Sequence, residues 1–257
     1  MPVRFQTRPA LIAYLTCGFP DLATTRAVAL AAIDAGAAVI ELGVPFSDPL
    51  ADGPVIQRAS CRALERGTTL EDVLQLGREL RRARPEAGLI VFSYFNPVLR
   101  FGLERFCNAA ARAGVDGALI TDLTVEEAGE YRRQMRARGL ATVFLAAPTS
   151  TDARLRRIAQ ASTGFVYAIS RTGVTGARRE LSGDARRLVT RLRRFTDLPI
   201  AVGFGISTAP QFRAVGRFAD AVVVGSAIVD AVERSGSRPM AAKAVAELIA
   251  RLRSGKQ

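Results

Sequence analysis

The sequence predicts a single (β/α)8 barrel, and three observations carry that reading. Its 257 residues match the ~250 that one such barrel needs. Eight short apolar runs bounded by turn residues recur along the whole length, the mark of buried strands. A stretch of helical periodicity follows each run, which is the βα repeat of a parallel sheet. No low-complexity tract, charge block or linker divides the chain, so residues 1–257 read as one domain.

The first run is ALIAYL (10–15), followed by a helical pattern over 24–35. The second, AVIEL (38–42), leads into a proline-punctuated loop at 44–57 and then the amphipathic LEDVLQLGRELRRA (70–83). GLIVFSY (88–94) and GALIT (117–121) come third and fourth, and VEEAGEYRRQMRARG (125–139) is a helix after the fourth. ATVFLA (141–146), FVYAI (165–169), PIAVG (199–203) and DAVVVG (220–225) complete the series. These runs are continuously apolar rather than alternating, as strands covered on both faces are. Closure is favoured over an open doubly wound sheet because no GxGxxG lies between the first strand and its helix.

Composition removes several classes of chemistry. The chain has no histidine, which excludes histidine triads and most catalytic zinc sites. Its only lysines, Lys243 and Lys256, lie at the C-terminal end, far from where a barrel holds a Schiff base. Proton chemistry therefore falls to Asp, Glu, Tyr or Cys. The net charge of +12 is almost all arginine, concentrated in helical patterns at 78–84, 132–138 and 186–194. With no tryptophan and no nucleic-acid motif, it reads as a solvated outer face. Three unpatterned cysteines, the absence of an apolar leader in MPVRFQTRPA and the lack of a ~20-residue apolar run predict a reduced, cytoplasmic protein.

In such a barrel, chemistry gathers at the C-terminal ends of the strands. Glu41 sits there on the second strand, among Val39, Ile40, Leu42 and Val44, where an idle carboxylate carries a desolvation cost. The loop that follows carries Asp48 and Asp52, and either could reach over the barrel mouth. Two carboxylates in different environments divide acid and base roles, although an Asp52–Gly53 pair alone is also an ordinary turn. Glycine-rich segments follow strands six, seven and eight: SRTGVTGA (170–177), GFGIS (203–207) and GSAIVDAV (225–232). Gly225 and Ser226 open a short helix whose N-terminus suits an anion, so these three loops are the predicted phosphate site. Tyr14, Phe92, Tyr94, Leu145 and Tyr167 fit either barrel core or a pocket for a flat ring. Asp122 could orient a loop or a catalytic group. Cys17, just after strand one, reads as a small buried hydrophobe or as an acid in a sugar-phosphate isomerase.

The segment ELGVPFSDPLADGPVIQ (41–57) resembles the signature of the tryptophan synthase alpha subunit family. The likeness continues through YLTCGFPD (14–21), SYFNPVLRFGLERF (93–106), AGVDGALITDL (113–123), APTSTD (147–152), SRTGVTGAR (170–178), GFGIS (203–207) and GSAIVD (225–230). It spans nearly the whole chain. It implies a TIM barrel that splits indole-3-glycerol phosphate into indole and glyceraldehyde 3-phosphate, with no cofactor and no metal. By resemblance, Glu41 shuttles protons between the glycerol hydroxyl and indole C3, and Asp52 draws on the indole N–H. Gly176, Gly205, Gly225 and Ser226 fall on the phosphate ligands, and Tyr167 beside the substrate. Tyr14, Phe92, Tyr94 and Leu145 fall on the indole pocket, with 44–57 and 170–183 as lids. The resemblance also implies a beta-subunit partner in an alpha-beta-beta-alpha complex, met through Asp48 and Pro49. Two departures are the short stretch before strand one and Thr121 where the family commonly has proline. Alternatives are a partner-independent lyase, a sugar-phosphate isomerase, a non-catalytic regulatory barrel and a nucleic-acid binder.

Overall fold

A computed structural model describes residue 5 and residues 7–169, 181–203 and 205–254. Eight parallel strands close in sequence order into a barrel. They are β1 (Ala10–Thr16), β2 (Val39–Gly43), β3 (Gly88–Ser93), β4 (Gly117–Ile120), β5 (Ala141–Ala146), β6 (Val166–Ile169), β7 (Ile200–Gly203) and β8 (Ala221–Val224). Eleven helices lie among the described residues. After β1 comes α1 (Leu22–Asp34), after β2 α2 (Pro54–Glu65) and α3 (Leu70–Ala83), and after β3 α4 (Phe95–Phe101) and α5 (Leu103–Ala113). Then follow α6 (Gly129–Ala137), α7 (Asp152–Ala161), α8 (Leu181–Leu192) and α9 (Ala209–Gly216), each after the next strand. After β8 the chain ends in α10 (Ser226–Glu233) and α11 (Arg238–Ser254).

The eight strands therefore stand as expected, to within a residue or two at each end. The helical layer departs in two places. The proline-rich stretch 44–57 ends inside α2, because Pro54 occupies the first helical position, where its missing N–H is no loss. The stretch 125–139 is helical only from Gly129, since a turn at 124–128 precedes it. The helix over 70–83 falls where its periodicity places it, started by a reciprocal cap between Thr69 and Asp72.

Strand register decides which residues face inward. Tyr14 pairs with Glu41 and Glu41 with Ile90; two residues on, Phe92 pairs with Leu119. Leu119 pairs with Val143, and beyond it Leu145 pairs with Tyr167 and Tyr167 with Ala201. Side chains alternate along a strand, so this set shares one face. The opposite face meets helices: Phe144 packs edge-on against Tyr131 of α6, and Leu42 lies under Gly77 of α3. The face carrying Tyr14, Glu41, Phe92, Leu145 and Tyr167 is therefore the barrel interior.

At the opposite end of the barrel, two aspartates finish the strand starts. Asp116 accepts the backbone N–H of Leu89 at 2.7 Å and the Arg81 guanidinium at 2.8 Å. Asp220 accepts the N–H of Ile200 at 2.8 Å and pairs with Arg193. Phe5 closes this floor, its ring 5.9 Å from that of Phe165. The outer arginines pair on the helical surface, as in Arg84 with Asp34 and Arg191 with Asp152, which accords with a solvated face.

Candidate active site

Glu41 is a carboxyl inside the barrel. Its residue is fully buried, and neither carboxylate oxygen has a hydrogen-bond partner among the described residues. Removing an acid from water without pairing it favours the neutral form, and burial pushes Glu41 up to about 8. A carboxyl in that condition at the mouth of a barrel is suited to proton transfer.

Asp52 approaches from above. The loop after β2 turns through Pro49, whose carbonyl accepts the N–H of Asp52 at 3.0 Å. Tyr94, just past β3, donates its hydroxyl to Asp52 Oδ2 at 3.0 Å and accepts the N–H of Ala51 at 2.9 Å. Gln57, one turn into α2, donates to the Asp52 carbonyl at 2.9 Å. The loop is thus pinned from two sides. Burial raises Asp52 to about 6, and the Tyr94 hydroxyl, which stabilises the anion, opposes that rise. At neutral pH the two carboxyls therefore divide: Asp52 is mostly ionised and Glu41 mostly protonated.

The structure gives the Tyr94 hydroxyl a task that no sequence pattern signals. Tyr94→Phe removes the bond that favours the Asp52 anion, so the Asp52 pKa is expected to climb above its value of about 6. A carboxyl NMR titration of the purified variant reads this directly, and a fall toward the ordinary range would reject it. Asp122 supports the same corner. Its Oδ1 accepts the N–H of Phe95 at 2.7 Å, fastening the connection after β4 to the start of α4 beside Tyr94. Of its two expected roles, the structure shows the loop-orienting one.

Tyr14 and Tyr167 flank Glu41 on the interior face. Burial holds both phenols far above their ordinary range, with the charges of Asp52 and Glu41 pushing the same way. Both hydroxyls are seated on glycines. A Cβ on Gly43 would come within 2.4 Å of the Tyr14 hydroxyl oxygen, and one on Gly203 within 2.0 Å of that of Tyr167. Phe92 meets Tyr14 edge-on at 5.1 Å, and Leu145, next to Tyr167 in register, is only half-buried. These four, with Tyr94, form an apolar and aromatic rim around the two carboxyls. Cys17 is buried, and burial drives its thiol upward, which makes it a poor acid.

On the far side of the mouth, Gly205 is exposed with φ +80° and Gly225 caps α10, whose first residue is Ser226. The first N–H groups of α10 carry no intrahelical partner and suit an anion. Gly176 lies outside the described residues, as does most of 170–183. Asp48 and Pro49 stand on the outer turn of the Asp52 loop, next to Leu50, which is 94% exposed. No cluster of three or more metal-ligating side chains occurs among the described residues, and no helix there is long and apolar enough to cross a membrane.

A family profile described as tryptophan synthase alpha chain matches residues 2–256. A tryptophan synthase alpha chain from Solibacter usitatus is 54% identical over 90% of this chain and 86% of its own length. The one from Methylococcus capsulatus is 46% identical over 98% of this chain and 94% of its own. Among solved structures, tryptophan synthase from M. tuberculosis in its aminoacrylate-bound form superposes with TM-score 0.85 at 36% identity, over 96% of this chain and 94% of that one. The alpha subunit from Legionella pneumophila str. Paris gives TM-score 0.87 at 32% identity, over 96% and 92%.

Proposed function

The chain belongs to the tryptophan synthase alpha chain family, and on that footing we propose how its barrel performs the alpha reaction. The reaction is the cleavage of indole-3-glycerol phosphate to indole and glyceraldehyde 3-phosphate. One observation carries the assignment of roles: Glu41 is a buried carboxyl at the end of β2 with no hydrogen-bond partner among the described residues, and Tyr94 holds Asp52 above it.

Glu41 starts protonated and delivers its proton to C3 of the indole. The ring becomes a cation with charge on its N–H, which the Asp52 carboxylate accepts as a charge-assisted hydrogen bond. The Glu41 carboxylate then takes the proton of the glycerol hydroxyl next to C3. The C–C bond breaks, its electrons restore the aromatic ring, and the oxygen becomes the aldehyde carbonyl. Glu41 ends protonated, as it began. The scheme needs Asp52 charged and Glu41 neutral, a window bounded by about 6 and about 8. Neither histidine nor lysine is required.

Tyr14, Phe92, Tyr94 and Leu145 surround the ring, Tyr167 neighbours the reacting carbon, and Gly176, Gly205, Gly225 and Ser226 hold the phosphate. The whole chain acts as one catalytic domain in the cytoplasm. Its beta-subunit partner meets Asp48 and Pro49, and exposed Leu50 supports that surface because a large side chain so open to water is better covered by protein.

The test is indole release from indole-3-glycerol phosphate by the purified chain, alone and with a beta subunit. Slow release that rises sharply with the partner is expected. No release under either condition would overturn the reading, and fast release alone would mark an independent lyase.

A further inference from the structure

The described residues line an open cavity of about 270 Å³ over the C-terminal ends of β4, β5 and β6. That is well beyond the ~30 Å³ share of one water. Leu145 and Ile169, from the interior face, form its inner wall. Phe144 and Ile158 of α7 form its outer wall, so it runs outward from the barrel mouth toward the helical layer. Across its rim Arg154 pairs with Glu126 at 3.3 Å, joining α7 to the connection after β4. The lining is mixed, with Thr121, Asp122, Thr124, Ser150 and Arg154 beside the apolar walls.

Topology places it relative to the site. With eight strands closed in sequence order, β4 lies opposite β8. The phosphate candidates Gly205, Gly225 and Ser226 follow β7 and β8, and Glu41 and Asp52 act from β2 and its loop. A substrate anchored by phosphate near β8, with its reacting carbon at β2, carries the far edge of its ring across the mouth toward β4 and β5. Leu145 stands both on the ring pocket and on the cavity wall.

Resting on the function proposed above, we infer that this cavity is a subsite for substituents on the benzo edge of indole. The chain then accepts indole-3-glycerol phosphates carrying a small apolar group, methyl or chloro, on the ring carbon that faces the cavity. The apolar walls formed by Phe144, Leu145, Ile158 and Ile169 suit such a group.

The experiment compares kcat/KM for unsubstituted indole-3-glycerol phosphate with a series bearing methyl or chloro at each benzo carbon in turn. One ring position is expected to tolerate the group with a loss under about 3-fold, while the others lose about 10-fold or more, the usual discrimination of a closed apolar pocket against an extra carbon. Ala147→Phe fills the cavity from the end of β5, and Ser150→Leu fills it from the neighbouring turn. Either is expected to abolish the tolerance, by about 10-fold at that position, and leave the unsubstituted substrate within about 2-fold. Circular dichroism identifies a variant that fails to fold, and the other then carries the test. Equal rejection at every ring position, or equal loss on both substrates in the filled variants, overturns the subsite. Absence of cleavage of the unsubstituted compound by the native chain overturns the function beneath it.

Discussion

Replacing Glu41 with glutamine is expected to lower kcat by at least about 10²-fold in a barrel that still folds and still binds indole-3-glycerol phosphate. Glutamine keeps the size and the hydrogen-bonding shape of the protonated acid. It loses only the proton that passes to C3 and the base that later removes one from the hydroxyl. KM should move little, because the carboxyl acts on groups whose charge develops in the transition state. Turnover within a few-fold of native would move the catalytic role elsewhere on the rim.

The same substitution should stabilise the fold near neutrality. In the unfolded chain the Glu41 carboxyl titrates at its ordinary 4.5, and in the fold at about 8. Between those values the unfolded chain releases the proton and the fold retains it. Stability therefore falls as pH rises from 4.5 to about 8, then levels off. At pH 7 the deficit is roughly 3 kcal/mol, since each tenfold excess of the ionised acid in the unfolded chain costs the fold about 1.4 kcal/mol. Glu41→Gln escapes that penalty and should unfold at higher denaturant than the native chain at pH 7, with the gap closing by pH 4. A gap that does not change with pH would mean that Glu41 is not the buried acid described.

The second large effect is expected at Gly225. Its position at the start of α10 leaves a Cβ in ordinary contact, 3.5 Å from Tyr14 Cβ, so alanine is accommodated. Gly225→Asp instead sets a carboxylate in the proposed phosphate site, and like charges so placed cost several kcal/mol. KM for indole-3-glycerol phosphate should rise at least about 100-fold, while Gly225→Ala stays within a few-fold. Measuring both separates charge from bulk. Unchanged KM in the aspartate variant would place the phosphate elsewhere.

The architecture is unusually readable here because a parallel strand covered on both faces must be apolar throughout, and eight such runs leave few other folds. What the residues conceal is the local work of proline. Pro45, Pro49 and Pro54 make 44–57 look like one long loop, yet Pro54 begins α2; Asn96 and Pro97 similarly hide α4 behind β3. Glu41 is legible because a lone carboxylate in an apolar run is conspicuous without any structure. The task of Tyr94 is not, since it depends on a hydroxyl meeting Asp52 from 42 positions away in the chain. Asp122 is readable as polar at a strand end, but not as the acceptor that fastens α4.

The two phenols seated on glycine have a consequence for how this chain can diverge. At Gly43 and Gly203 even one added methyl collides with a tyrosine oxygen. Neither glycine is therefore free to drift while its tyrosine remains. A lineage must first shorten Tyr14 or Tyr167, altering the rim of the site, before the glycine beneath it can change. The order of substitutions is constrained: in each pair the tyrosine changes before the glycine beneath it.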